Sequence, residues 1–84
     1  MITPTERAAE AVVQAQVAAR RFDPDARIRL VRDGAGVTFA LSDGPLPGDI
    51  DVRCGETVLL AEAGLEGTLD TGDHNAPVLR PTRP

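Results

Sequence analysis

Residues 26–41 read Ala26-Arg27-Ile28-Arg29-Leu30-Val31-Arg32-Asp33-Gly34-Ala35-Gly36-Val37-Thr38-Phe39-Ala40-Leu41, and this stretch decides the fold class. Ala26, Ile28 and Leu30 alternate with Arg27, Arg29 and Val31, the period-2 pattern of a half-buried strand. Asp33-Gly34-Ala35-Gly36 supplies a flexible turn. Val37, Phe39 and Leu41 then form the apolar face of a returning strand, so the segment is an antiparallel hairpin with Phe39 expected as its large core anchor.

On the N-terminal side, Thr3-Pro4-Thr5-Glu6 predicts a helix start, with Thr3 capping, Pro4 in the first turn and Glu6 completing a capping box. The helix should run to about Arg21 before Pro24 forbids it. Val12, Val13 and Val17 are expected to face the core, and Glu6, Arg7, Glu10 and Gln14 to face water.

On the C-terminal side, residues 42–49 hold two prolines and two glycines and must form a surface loop. Ile50, Val52 and Cys54 alternate again, Gly55-Glu56 turns the chain, and Thr57-Val58-Leu59-Leu60 returns as a buried strand. Residues 61–66 allow one or two helical turns that seat Leu65 and Leu69, Asp70 to Asn75 reads as polar loop, and Val78-Leu79 as a short edge strand. One domain over residues 1–80 with a frayed tail at 81–84 follows, because 84 residues cannot feed two cores.

Composition excludes several function classes. A formal charge of −4 disfavours phosphate-backbone binding, and two phenylalanines are too few for a base-stacking platform, so no nucleic-acid partner is expected. Cys54 is the only cysteine, which forbids an internal disulfide or a multi-thiolate zinc site and suits a reducing compartment. With no long apolar run or signal-peptide pattern, the expectation is a cytoplasmic protein with no membrane partner. Every basic residue is Arg, and with abundant Ala, Gly and Pro this suggests a GC-rich, bacterial coding genome.

The chemistry-bearing residues are sparse. Cys54 continues the Ile50, Val52 alternation and is expected as a buried small hydrophobe; a reactive or dimer-bridging thiol is the alternative. His74 is the only imidazole, and a nucleophile with a base in an unrelated segment is no dyad. Residues 70–75 lack the order of a calcium loop, and Asp49 and Asp51 are a carboxylate pair without an evident pocket. Gly34-Ala35-Gly36 lacks the rest of a dinucleotide fingerprint, and no Lys exists for a phosphate loop. No catalytic residue is expected, and the protein is read as not an enzyme.

The order of these landmarks resembles the A-type iron-sulfur carriers, the HesB/IscA-like family. Ile2-Thr3-Pro4-Thr5 resembles its helix start, and Arg29 to Phe39 resembles its strand and its Gly-Cys-Ser-Gly-Phe-x-Tyr turn. Gly48-Asp49 and Leu65-Glu66-Gly67-Thr68-Leu69-Asp70 resemble later family segments. The resemblance implies an α+β fold, with an N-terminal helix packed on a bent, mostly antiparallel β structure. It also implies iron-sulfur cluster assembly as the setting, where three cysteines hold the cluster. Here Gly34 stands at the first ligand position and Arg80-Pro81-Thr82-Arg83-Pro84 replaces the Cys-Gly-Cys tail, so no cofactor is expected in the family manner.

Two readings of function remain. One is a non-catalytic accessory or interaction module on that scaffold, with a partner supplying any cluster ligands. The other is an iron or iron-sulfur cluster binder that uses Cys54 across a homodimer, with His74 or carboxylates in support. The charge layout bears on the first: residues 20–32 carry five arginines against two aspartates, whereas residues 43–73 carry eight acids against Arg53. Arg27 and Arg29, expected to point together off the sheet, are the centre of the candidate interaction surface for a protein partner or second copy.

Overall fold

The computed structural model describes residues 1–81. Its elements follow the order β1 (Ile2–Pro4), α1 (Glu6–Arg20), β2 (Arg27–Asp33), β3 (Gly36–Ser42), β4 (Ile50–Cys54), β5 (Thr57–Ala61), β6 (Gly67–Thr71) and β7 (Pro77–Arg80), with a 3-10 turn at Asp73–Asn75. The protein is thus an α+β fold with one N-terminal helix. Its strands form two mixed sheets, a four-stranded one in the order β3-β2-β5-β4 and a three-stranded one in the order β1-β6-β7.

Both hairpins of the four-stranded sheet form as the alternation requires. Arg29 pairs with Ala40 and Leu30 with Phe39, while Val52 pairs with Leu59 and Cys54 with Thr57. Each turn places a glycine, Gly34 or Gly55, at the first of two loop positions with positive φ, the conformation a type II′ turn needs there. The hairpins join through a parallel pairing of β2 with β5, Arg29 opposite Leu60. Ile28 and Leu30, Leu59 and Ala61, and Val52 and Cys54 therefore share one face, and all are buried in a single cluster. The sheet edges β3 and β4 lie beside β7 and β1, and α1 packs against both sheets.

The helix start differs from the sequence expectation. Thr5, not Thr3, is the N-cap: its Oγ1 accepts a hydrogen bond from the Ala8 amide at 3.2 Å and donates to Asp70 Oδ1 at 3.0 Å. Residues 2–4 are instead drawn into β1, which pairs in parallel with β6, Ile2 opposite Gly67 and Pro4 opposite Leu69. Burial of Ile2 together with this ladder outweighs the extra helical turn. The helix buries Ala8, Ala11, Val12, Gln16 and Ala19. Val17, expected in the core, is 55 % exposed, because the buried stripe turns through Gln16, whose Nε2 donates to the Ala26 carbonyl and so satisfies its own burial.

Three further expectations are corrected. Phe39 is only half-buried, since β3 is an edge strand and the centre of the core is held by Leu30, Leu59 and Leu69. Residues 62–66 form a turn rather than a helix; they do seat Leu65, and the expected polar loop begins as β6, which buries Leu69 and Thr71. The short edge strand at Val78-Leu79 is present as β7, antiparallel to β6. Of the tail expected to fray, residues 82–84 lie outside the described residues. Among the described residues no helix is long and apolar enough to cross a membrane.

The two threonines separate these alternatives experimentally. Thr5→Ala removes both the cap and the tie to Asp70 and should cost about 1–2 kcal/mol in urea unfolding. Thr3→Ala, at an exposed position of β1, should fall within about 0.5 kcal/mol of the parent. Equal losses would restore Thr3 as a cap.

Candidate functional site

The residues with chemical potential are dispersed. Cys54 ends β4 on the inward face, fully buried in the core cluster, and burial pushes its thiol pKa up, away from the reactive thiolate. His74 is exposed in the 3-10 turn, where it and Asn75 adopt left-handed backbone conformations. An enclosed thiol and a solvent-facing imidazole share no site. Gly34 and Ala35 are exposed at the tip of the first hairpin, and neither has a side-chain ligand. Among the described residues no group of three His, Cys, Asp or Glu side chains converges as a metal cage would.

The carboxylates serve the fold. Asp70 lies in β6, where it accepts bonds from the Thr71 amide at 2.8 Å and from Thr5, with Arg80 3.5 Å away. The Thr71 amide, then Thr5, hold its pKa below the usual carboxylate range. Asp49 does not act with Asp51, which is exposed in β4. It turns instead to Arg29: Nε donates to Oδ2 at 2.9 Å and Nη2 to Oδ1 at 2.7 Å, a two-pronged, charge-assisted pair whose side chains are only 12 % and 3 % exposed. Oδ2 also accepts from the Leu46 amide at 2.8 Å, and the Asp49 amide donates to the Leu46 carbonyl. Arg29 and the Leu46 amide lower the Asp49 pKa, and the same pairing raises that of Arg29.

This clasp changes the reading of the basic strand. Arg29 does face outward with Arg27, as the alternation requires, but its charge is spent on Asp49, so the two do not form a shared cationic docking centre. Arg27 lines a depression with Arg20, Asp23, Asp25 and Asp43, where carboxylates stand among the arginines. Leu60, opposite Arg29, is also buried although it lies on the outer face and outside the main cluster. Its two ladder partners on that face are Arg29 and Asp51. The alternation around Arg29 carries no signal for the clasp, because Asp49 lies 20 residues further on in an irregular loop.

One surface feature was not anticipated. Between the end of α1 and β3 runs an open groove lined by Ala15, Ala18, Phe22, Phe39, Ala40 and Leu41, with hardly any polar surface. Phe22 is 92 % and Leu41 70 % exposed. A run of large exposed apolar side chains along one groove is a recognised mark of an interaction surface.

Neither a protein-family model nor a curated protein matches the chain.

Two measurements test this layout. The Asp49 carboxyl titrates lower in the folded than in the unfolded state, so the clasp contributes fully above the ordinary carboxylate range and fades as pH falls through the lowered value. Asp49→Asn should therefore unfold at lower urea than the parent at neutral pH, the gap narrowing on acidification; a gap independent of pH would contradict the clasp. A thiol reagent should modify Cys54 at least about a hundredfold more slowly in the folded than in the unfolded protein. Equal rates would place the thiol at the surface.

Proposed function

We propose that the chain is a non-catalytic accessory or interaction module on a HesB/IscA-like scaffold, related to iron-sulfur cluster assembly and not itself holding a cluster in the family's manner. The observation that carries this reading is the enclosure of Cys54, the one thiol in the chain. Two copies could pool two Cys54 thiolates only if each lay at the surface, whereas each is sealed in its own core with its pKa raised.

Support for the scaffold comes from the order of landmarks. A helix beginning at Thr5-Glu6 leads to β2, a turn carrying Gly34 and Gly36, and the Phe39-bearing β3. Gly48-Asp49 then stands just before the second hairpin, in the place the resemblance assigns to its Gly-Asp. At the position matching the first family ligand, the Gly34 turn projects no side chain that could bind iron. The residues present do not fit a cluster, and a partner would have to supply its ligands.

The chemistry can be tested directly. Supplied with iron and sulfide without oxygen, the protein and its Cys54→Ala variant should both remain colourless and free of stoichiometric iron. A charge-transfer absorption band that is lost in the variant would overturn this reading and establish Cys54 as a ligand.

A further inference from the structure

We propose that the chain forms a two-fold dimer by pairing β3 with β3 of a second copy along the apolar groove. The inference goes beyond the function proposed above and needs only the groove and the strand beside it, so it stands or falls independently of iron binding.

β3 is an edge of the four-stranded sheet and has a ladder partner, β2, on one side only. Its residues, Gly36-Val37-Thr38-Phe39-Ala40-Leu41-Ser42, contain no charge and no proline. Those are the devices by which proteins ordinarily stop an edge strand from pairing with another chain. β7 lies beside β3, and its Leu79 shares a depression with Gly36 and Val37, whereas Phe39, Ala40 and Leu41 border the groove, which is where the proposed pairing is placed.

Pairing geometry selects a register. Residues opposite one another in an antiparallel ladder point to the same side of the sheet, so a two-fold axis must pass between a residue and its own counterpart, and Ala40 centres the stretch beside the groove. Ala40 then meets its own counterpart across the axis, where both side chains are small. Phe39 meets the partner subunit's Leu41 on the groove side, and Thr38 meets the partner subunit's Ser42 on the other side. The stretch is thus its own complement: apolar against apolar, hydroxyl against hydroxyl, with no like charges facing across the axis.

That self-complementarity favours a second copy over a charged peptide, for which the groove offers no countercharge. The area is that of a weak contact. Covering Phe22 removes roughly 150–250 Å² per copy. Symmetry doubles this to about 300–500 Å², and with Leu41, Ala18 and the paired backbones added the total stays below the roughly 1,200 Å² at the small end of specific interfaces. The dimer is therefore expected to dissociate on dilution.

The test is sedimentation of the full chain over a wide concentration range, combined with amide hydrogen exchange. Monomer should convert to dimer as concentration rises, and amides within Thr38–Ser42 should gain protection in step. Leu41→Arg places a charge in the interface from a side chain that is mostly exposed in the monomer, so it should fold normally and weaken dimerisation by at least about tenfold. Phe22→Ala should weaken it as well, whereas Leu46→Glu, away from the groove, should not. A chain that stays monomeric throughout overturns the proposal and leaves the groove to another protein's strand. A dimer indifferent to both groove substitutions, or one that leaves the Thr38–Ser42 amides unprotected, overturns it too.

Discussion

The close approach of α1 to two sheets at once is the contact on which the other features of this fold depend, and it is possible because the helix buries small residues. Ala8, Ala11 and Ala19 flank Val12 on the buried stripe, so the helix backbone can sit near β2, β4, β5 and β6 together. Leu30, Leu59 and Leu69 then meet beneath it, each fully buried and each worth on the order of 1.5–3 kcal/mol of transfer free energy. Gln16 is the one polar side chain on the stripe, and its bond to the Ala26 carbonyl fixes the chain where it leaves the helix and begins β2. A larger residue at Ala8, which is fully buried in the core cluster, would force the helix away from the sheets.

The second sheet closes the core by bringing distant parts of the sequence together. β1 and β6 lie 65 residues apart along the Thr5–Asp70 bond, and the Thr5 amide also donates to the Leu69 carbonyl at 2.8 Å. Gly67 is what lets β6 start there. It has a φ of +127°, and a Cβ on it would collide with the Arg80 carbonyl of β7, so both the conformation and the space call for glycine. The helix cap, the parallel strand pair and the last hairpin therefore share one small set of atoms around Asp70, which explains why a carboxylate that reads as a loop residue is among the better-bonded groups of the protein.

What the sequence made legible was local. Two hairpins, the helix and the loop at 42–49 follow from alternation, period and Pro/Gly punctuation, and Cys54 inside the core follows from its place after Ile50 and Val52. What it hid was non-local. Ile2-Thr3-Pro4 is too short to signal a strand without its partner Gly67-Thr68-Leu69, so the capping pattern at Thr3 had no visible competitor. Val17 looked like core because a valine outranks a glutamine in any apolar count, yet Gln16 had a carbonyl to satisfy it and Val17 had no sheet in front of it. Arg29 looked like surface for the corresponding reason: its ion-pair partner lies 20 residues away, across an irregular loop that no periodicity describes.

The placement of the aromatic residues bears most directly on function. This chain has only two phenylalanines and no tyrosine or tryptophan, and its core contains no fully buried aromatic ring. Phe39 is half-covered and Phe22 stands almost entirely in water, although aromatic rings are the side chains with the most to gain from burial. Burying either in the centre would have required giving up the small residues that let α1 touch both sheets. Structural economy explains why the rings are absent from the core, but it does not explain Phe22: a polar residue just past the end of α1 would cost the fold nothing. A large ring kept in solvent beside a charge-free strand edge gains from being covered, and that gain, rather than the sealed thiol, is the physical basis of the pairing proposed above.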